Sequence, residues 1–337
     1  MSGQRLRVVV LGAGRIGSLH AEIVAHETPG AELVGVSDTS PEVAHALGLR
    51  LSVPVMTFDE ALSRDDVDVI AVCSSTDSHV DAIIRAAHAG KAIFCEKPIS
   101  LDLARVDEAL TAVDDCGVAF MVGFNRRFDP SHKAVRDAVV AGDIGDVHIV
   151  RITSRDPAPP PLEYIMVSGG IFLDMTVHDF DMARFVTGSE VEEVFAHATT
   201  RVNPAIGDVG DYDTLVVNLR HADGALSVID NSRQAVYGYD QRVEVFGSLG
   251  VVASQNWPLH STITMGAQGG SSAPLQKFFL ERYRESYQRE WRSFVEAVKA
   301  KSAMPVTGAD GRAPLVLGIA ARRSVETGRA IAVSEVV

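Results

Sequence analysis

The residues of this 337-residue chain whose types and spacing suit chemistry fall in three stretches. Gly12, Gly14 and Gly17 form G-x-G-x-x-G directly after an apolar run, with a helix expected from Ile16. In that pattern the first glycine permits a tight turn, the second lets backbone approach a pyrophosphate, and the third lets strand and helix pack closely. The pyrophosphate would rest on the amides at the helix N-terminus. Asp38 ends the next apolar run, 21 residues beyond Gly17, near the spacing expected of a carboxylate that binds an adenosine ribose diol. That carboxylate would repel a 2′-phosphate, and neither Thr39 nor Ser40 supplies an arginine to hold one, so NAD is favoured over NADP. Next, Glu96-Lys97-Pro98 lies at the carboxyl end of what reads as the fifth strand, the edge where open α/β sheets bind ligands. The proline permits a cis bond that would aim the Lys97 side chain over a cleft, although a lysine at a strand end is by itself usually just solvated.

The third stretch, Gly170 to Phe185, reads as a helix apolar nearly all round and therefore buried. It nevertheless carries Asp174, His178 and Asp181 on one stripe, at spacings of four and three. A buried carboxylate and imidazole are costly unless paired. The pair is either a satisfied core ion pair or a histidine oriented by an aspartate to act as a general base near neutral pH. A zinc site would want a third ligand in register, which the spacing of His178 and Asp181 does not supply, so no metal is expected.

These residues need a scaffold, and the first 124 residues read as one. Apolar runs at Leu6–Leu11, Glu32–Ser37, near Val55, Val67–Cys73, Ala92–Cys95 and Val118–Gly123 alternate with amphipathic stretches such as His79–Ala89 and Leu103–Cys116. That is the pattern of a Rossmann-type, doubly wound parallel sheet. After Phe124 come a helical stretch beyond Pro130, a stiff proline-rich loop at Pro157–Pro161 and the Gly170–Val186 helix. Short β-branched runs follow at Val191–Thr199, Thr214–His221, Ala225–Asn231, Gln241–Phe246 and Val251–Ser254, and the chain closes with helices at Tyr283–Ala300 and Ala313–Thr327. The expected architecture is α/β, with an NAD-binding domain over residues 1–124. An α+β domain over 125–337 carries a large, mostly antiparallel open sheet for substrate binding and oligomerisation, its last helix free to pack back on the first domain. With no helices to cover its second face, that sheet suggests subunit packing.

Composition narrows the partners. The net charge is −13, and no basic run offsets it, which argues against nucleic acid or an anionic membrane. Apolar residues make up 46% of the chain, yet no stretch reads as a signal peptide, an export signal or a membrane span. Cys73, Cys95 and Cys116 form neither a CxxC pair nor an even disulfide set, and each lies in or beside an apolar segment. Buried structural thiols in a reducing cytoplasm are expected.

Together, the glycine fingerprint, E-K-P and the later G-G-x-x-x-D-x-x-x-H-D segment resemble the Gfo/Idh/MocA family of sugar and cyclitol dehydrogenases, over essentially the whole chain. The segments Gly123–Asp129, Ser168–Asp181 and Tyr237–Asp240 are most similar to its inositol 2-dehydrogenases. The resemblance implies a catalytic triad of Lys97, Asp174 and His178, and polyol contacts from Arg127, Asp156 and Tyr237. It implies a homotetramer that oxidises a cyclic polyol, myo-inositol foremost, with NAD. The cofactor-binding set expected is Gly12, Gly14, Arg15, Ile16, Gly17, Asp38, Ser74, Thr76, His79, Glu96 and Lys97. One position departs from the pattern: Leu173 stands before the motif aspartate, where many inositol members have a polar residue. Ser154 and Asp156 occupy positions where substrate contacts vary. A cyclitol exposes hydroxyls all round its ring, so its site needs several fixed donors and acceptors. Arg126, Arg127, Asp156, Tyr237 and Tyr239 supply such groups, and Tyr283 is a weaker candidate. Two alternatives stand beside this reading. One is a relative acting on scyllo-inositol, chiro-inositol or an aldose, and the other is a sensor of NAD and sugar without turnover.

Overall fold

The computed structural model describes residues 4–336, so residues 1–3 and 337, at the ends of the two expected domains, lie outside it. In chain order the first elements are β1 (Leu6–Leu11), α1 (Arg15–His26), β2 (Ala31–Ser37), α2 (Pro41–Leu51), α3 (Phe58–Ser63), β3 (Val69–Val72), α4 (His79–His88), β4 (Ala92–Glu96), α5 (Leu103–Cys116), β5 (Phe120–Gly123) and α6 (Pro130–Ala141). Then come β6 (Val147–Arg155), α7 (Leu162–Val167), α8 (Gly170–Asp174), α9 (Val177–Thr187), β7 (Val191–Thr199), α10 (Pro204–Asp208), β8 (Thr214–His221), β9 (Leu226–Ser232), β10 (Asp240–Gly247) and β11 (Val251–Ser254). The last are β12 (Ile263–Gly266), β13 (Gly269–Ser272), α11 (Phe279–Arg282), α12 (Arg284–Ala300), α13 (Gly308–Thr327) and β14 (Ile331–Ala332). The chain divides into two units, one of Met1–Asn125 with Ser286–Ala313 and one of Arg126–Glu285 with Pro314–Val337.

In the first unit five strands form a fully parallel sheet in the order β2-β1-β3-β4-β5. Parallel strands are covered on both faces, which is why Val8, Val9 and Val10 are all fully buried instead of alternating. Val55, expected in a strand, makes only an isolated bridge to Val36. Lys97 consequently follows the fourth strand of the sheet, and the Lys97–Pro98 peptide is cis. α12 belongs to this unit because its apolar face has a partner there: Trp291 stacks on Phe94 with ring centroids 4.7 Å apart, and Phe294 meets both rings edge-on. Cys73 and Cys95 are buried, but Cys116, expected buried, is exposed as the last residue of α5, where the helix ends at Gly117.

The second unit is built on a seven-stranded sheet, β11-β10-β6-β9-β8-β7-β14, antiparallel at every described pairing except β6 with β9. β6, near its middle, is a strand the sequence reading missed. Val150, Ile152 and Ser154 point to the buried face while Arg151, Thr153 and Arg155 point to the other, so charge broke the apolar signal. α6 and α9 cover the buried face. The expected helix from Gly170 to Val186 is two helices. The Ile171 carbonyl accepts from the amides of both Met175 (3.1 Å) and Thr176 (2.9 Å), which ends α8, and α9 restarts at Val177.

Candidate active site

In the first unit, the residues expected to hold the cofactor offer mostly backbone. Gly12 has φ of +99°, and a Cβ there would lie 2.5 Å from the Cys73 carbonyl oxygen; at Gly17 it would lie 1.9 Å from the Gly12 oxygen. Gly14 differs, because a Cβ there would meet no atom within 4 Å, so the space beside its backbone is open to a ligand. Arg15 and Ile16 begin α1, whose first amides lack intrahelical acceptors and suit an anion. Asp38 is held at the end of β2 by the Ala13 amide to Oδ2 (2.6 Å) and the Ser40 amide to Oδ1 (2.8 Å), and it stays half-exposed. An open glycine, the N-terminal end of α1 and a braced carboxylate fit a dinucleotide.

The remaining cofactor candidates divide. Ser74 and Thr76 are half-exposed past β3, with the Ser74 hydroxyl 2.7 Å from that of Ser78. His79 is buried instead, its ring nitrogens 2.9 Å from the Pro98 oxygen and 3.0 Å from the Ser74 oxygen. Burial pushes its pKa below the usual histidine value, and its part is to brace the two loops that flank Lys97. Glu96 likewise turns inward. The indole N–H of Trp291 donates to His20 Nδ1 (2.8 Å), so His20 Nε2 carries the hydrogen and donates to Glu96 Oε1 (2.7 Å). The Lys97 amide donates to Glu96 Oε2 (3.1 Å). Lys97 itself is half-exposed. Sequence reasoning passed over Glu290, a fully buried carboxyl whose pKa is pushed well up by burial and by the Glu96 charge.

In the second unit side chains do the work. Asp174 and His178 are the half-exposed residues of a segment whose other members from Gly170 to Met182 are buried. The α8–α9 break falls between Asp174 and His178, so the expected stripe is lost for Asp174, while His178 and Asp181 remain three residues apart on α9. Asp181 pairs with Arg127, whose Nε donates to Oδ2 at 2.9 Å and whose guanidinium lies 5.3 Å from the Phe185 ring. Arg127, expected as a polyol contact, is buried in this ion pair. Arg126 is buried too, donating to Asp179 Oδ1 (2.8 Å) and the Ser154 hydroxyl (3.0 Å). Asp179, absent from the sequence-based set, is the hub of this network. It also accepts from Ser154 (2.6 Å) and from Asn231 Nδ2 (2.8 Å), while burial pushes its pKa up against the pull of Arg126. Removing one partner of such a buried pair costs about 3–5 kcal/mol.

Asp156 stands half-buried at the end of β6, its carboxyl pushed up to about 6 by burial, with Arg126 opposing and Asp174 reinforcing the shift. Tyr237 is half-exposed, and its hydroxyl donates to Asp240 Oδ2 (2.6 Å) and accepts from Arg155 Nη1 (3.0 Å). Tyr239 and Tyr283 are buried, with the Tyr283 ring 5.7 Å from the Arg126 guanidinium. Two more residues reach Asp174 without having been anticipated: the Tyr164 hydroxyl donates to Oδ1 (2.9 Å), and Arg233 Nη1 lies 3.5 Å from Oδ2.

Comparison with known proteins supplies a context. Residues 6–124 match the oxidoreductase family with an NAD-binding Rossmann fold, and residues 132–253 match the GFO/IDH/MocA C-terminal domain. The chain is similar to the myo-inositol 2-dehydrogenase of Thermotoga maritima, with 48% identity covering 98% of this chain and 100% of the relative. It is equally similar, at 48% over 98% and 99%, to the inositol 2-dehydrogenase of Rhizobium meliloti. A crystal structure of a probable dehydrogenase from Thermotoga maritima superposes with a TM-score of 0.96, at 47% identity over 98% of this chain and 100% of that one. The scyllo-inositol dehydrogenase of Lactobacillus casei, solved with NAD(H) and scyllo-inositol, superposes with a TM-score of 0.91, at 27% identity over 98% and 100%.

Proposed function

We propose, from the premise that the chain belongs to the GFO/IDH/MocA oxidoreductase family, that it is an NAD-dependent dehydrogenase converting myo-inositol to its 2-keto form. The observation that carries the reaction is that Asp174 and His178 alone are not fully buried in an otherwise buried segment, since leaving two polar groups partly accessible there serves chemistry better than packing. NAD, held by the Gly12–Gly17 loop, the α1 amides and Asp38, supplies the acceptor for the hydride that leaves the carbinol carbon. His178 takes the hydroxyl proton as the C–O bond becomes a carbonyl. Asp174 orients the imidazole. Lys97 donates a hydrogen bond to the reacting oxygen and stabilises the charge that develops on it. Asp156 and Tyr237 offer polar groups to the remaining ring hydroxyls, so that a wrong epimer leaves buried groups unpaired.

We further propose that the enzyme is a cytoplasmic homotetramer. Strand register puts Glu244, Arg151, Val228, Asn218 and Phe195 in one row across the uncovered face of the large sheet, and Phe246, Ile149, Leu226, Arg220 and Glu193 in the next. Phe246 and Leu226 are about half-exposed, which suits a face covered by a second subunit. Among the described residues no helix is long and apolar enough to cross a membrane. Absorbance of NADH during incubation with myo-, scyllo- and chiro-inositol and glucose tests the reading. The expected result is the highest kcat/KM on myo-inositol. Preference for another polyol would reassign the substrate, and no turnover on any would support a sensor.

A further inference from the structure

Arg233 lies just past the end of β9 and is the most deeply buried arginine of the second unit, 1% exposed. Its backbone amide donates to the Asp213 carbonyl (2.8 Å), which fixes where the side chain starts. Its guanidinium reaches two carboxylates at once. Nη2 donates to Asp211 Oδ2 (3.3 Å), and Nη1 lies 3.5 Å from Asp174 Oδ2. Asp211 in turn accepts the Ile171 amide on both oxygens (3.0 and 3.1 Å) at the start of α8. It packs so closely there that a Cβ on Gly170, whose φ is +75°, would come 2.5 Å from Oδ1. One planar cation therefore spans a five-residue helix, with the carboxylate that caps its first turn on one side and the carboxylate at its last residue on the other.

We propose that Arg233 is a positioning residue for the dehydrogenase reaction, setting the Asp174 carboxylate relative to α8 so that Asp174 can hold His178; this rests on the roles assigned to those two residues above. A buried guanidinium needs a counter-ion, and Asp211 alone supplies it. The second arm is what calls for an explanation. It ends on the half-exposed Asp174, whose other oxygen is held by Tyr164, a residue on the exposed surface. With one oxygen tied to the hydroxyl of an exposed tyrosine and the other facing a buried planar fork, the fork sets the orientation. At 3.5 Å the second arm is an ion pair.

The test uses the full-length enzyme with NAD and myo-inositol, comparing Arg233→Met, Arg233→Lys, Asp174→Asn and the Arg233→Met/Asp174→Asn double variant. Misplacing a group that orients the base is expected to lower kcat by about 10–100-fold in Arg233→Met, with KM and NADH affinity within about twofold of wild type. Arg233→Lys, which keeps the charge and loses the fork, is expected to fall between wild type and Arg233→Met. The double variant is expected to be no slower than Asp174→Asn alone, because both changes act through one carboxylate. Multiplicative losses in the double variant would overturn the proposal, as would Arg233→Met with a lowered Tm and an unchanged kcat. Should Arg233→Met fail to fold, Arg233→Lys decides: a folded enzyme of wild-type kcat overturns the positioning role. If Asp174→Asn itself turns over at the wild-type rate, the catalytic reading has failed instead.

Discussion

The two units recognise their ligands with different parts of the polypeptide. In the first, the expected contacts are main-chain amides around Gly12, Gly14 and Gly17 and one carboxylate, Asp38, itself braced by amides. In the second they are side chains brought from β6, α8, α9 and the loop before β10, and most are already committed to one another: Arg126 to Asp179, Arg127 to Asp181, Tyr237 to Asp240. A backbone site is indifferent to most substitutions and serves one cofactor across many substrates. A side-chain network ties substrate choice to a web in which each residue holds the next. Cofactor binding should thus be robust and turnover fragile.

The largest separation of the two is expected from His178→Ala, which should lower kcat by about 10²–10⁴-fold while NADH titration still gives wild-type affinity. Loss of both together would mean that the units are not separable in this way. Lys97→Met should follow at about 10²–10³-fold in kcat, the usual cost of removing a donor to a developing oxyanion. Asp38→Ser is the converse change. It should narrow the NAD-over-NADP ratio of kcat/KM on the order of 10-fold, the worth of a charge-assisted hydrogen bond, and leave polyol KM alone.

The smallest effect concerns stability. Glu290 holds its proton well above 4.5 in the folded chain, so its contribution is intact in acid and is lost as pH rises past the unfolded value. Glu290→Gln has nothing to lose there. Its Tm should match wild type in acid and exceed it at alkaline pH by on the order of a few degrees. Parallel Tm curves from acid to alkaline pH would show that Glu290 titrates in the folded chain as it does in the unfolded one.

Legibility in the sequence follows the same division. The glycine loop could be read because glycine reports a backbone need at its own position: positive φ at Gly12, close contact at Gly17. The strands of the parallel sheet could be read because both faces are apolar. β6 could not, since Arg151, Thr153 and Arg155 line its uncovered face. The α8–α9 break was hidden because Thr176, where it falls, is anchored through its hydroxyl to Asn231 Oδ1 at 2.6 Å, a partner 55 residues away. Asp179 and Arg233 gave no local signal for the same reason, each defined by partners on distant strands and loops. The motif Asp174 and His178 were found, but the single helix that seemed to carry both is broken between them, which leaves His178 with Asp181 on α9.

The most direct test of the account follows one hydrogen. Myo-inositol carrying deuterium at C2 is incubated with the enzyme and NAD, and the reduced cofactor is analysed by mass. The account expects deuterium in the NADH, one for each keto-inositol formed. NADH without deuterium, formed at the rate seen with unlabelled myo-inositol, would place the oxidation at another carbon and contradict it.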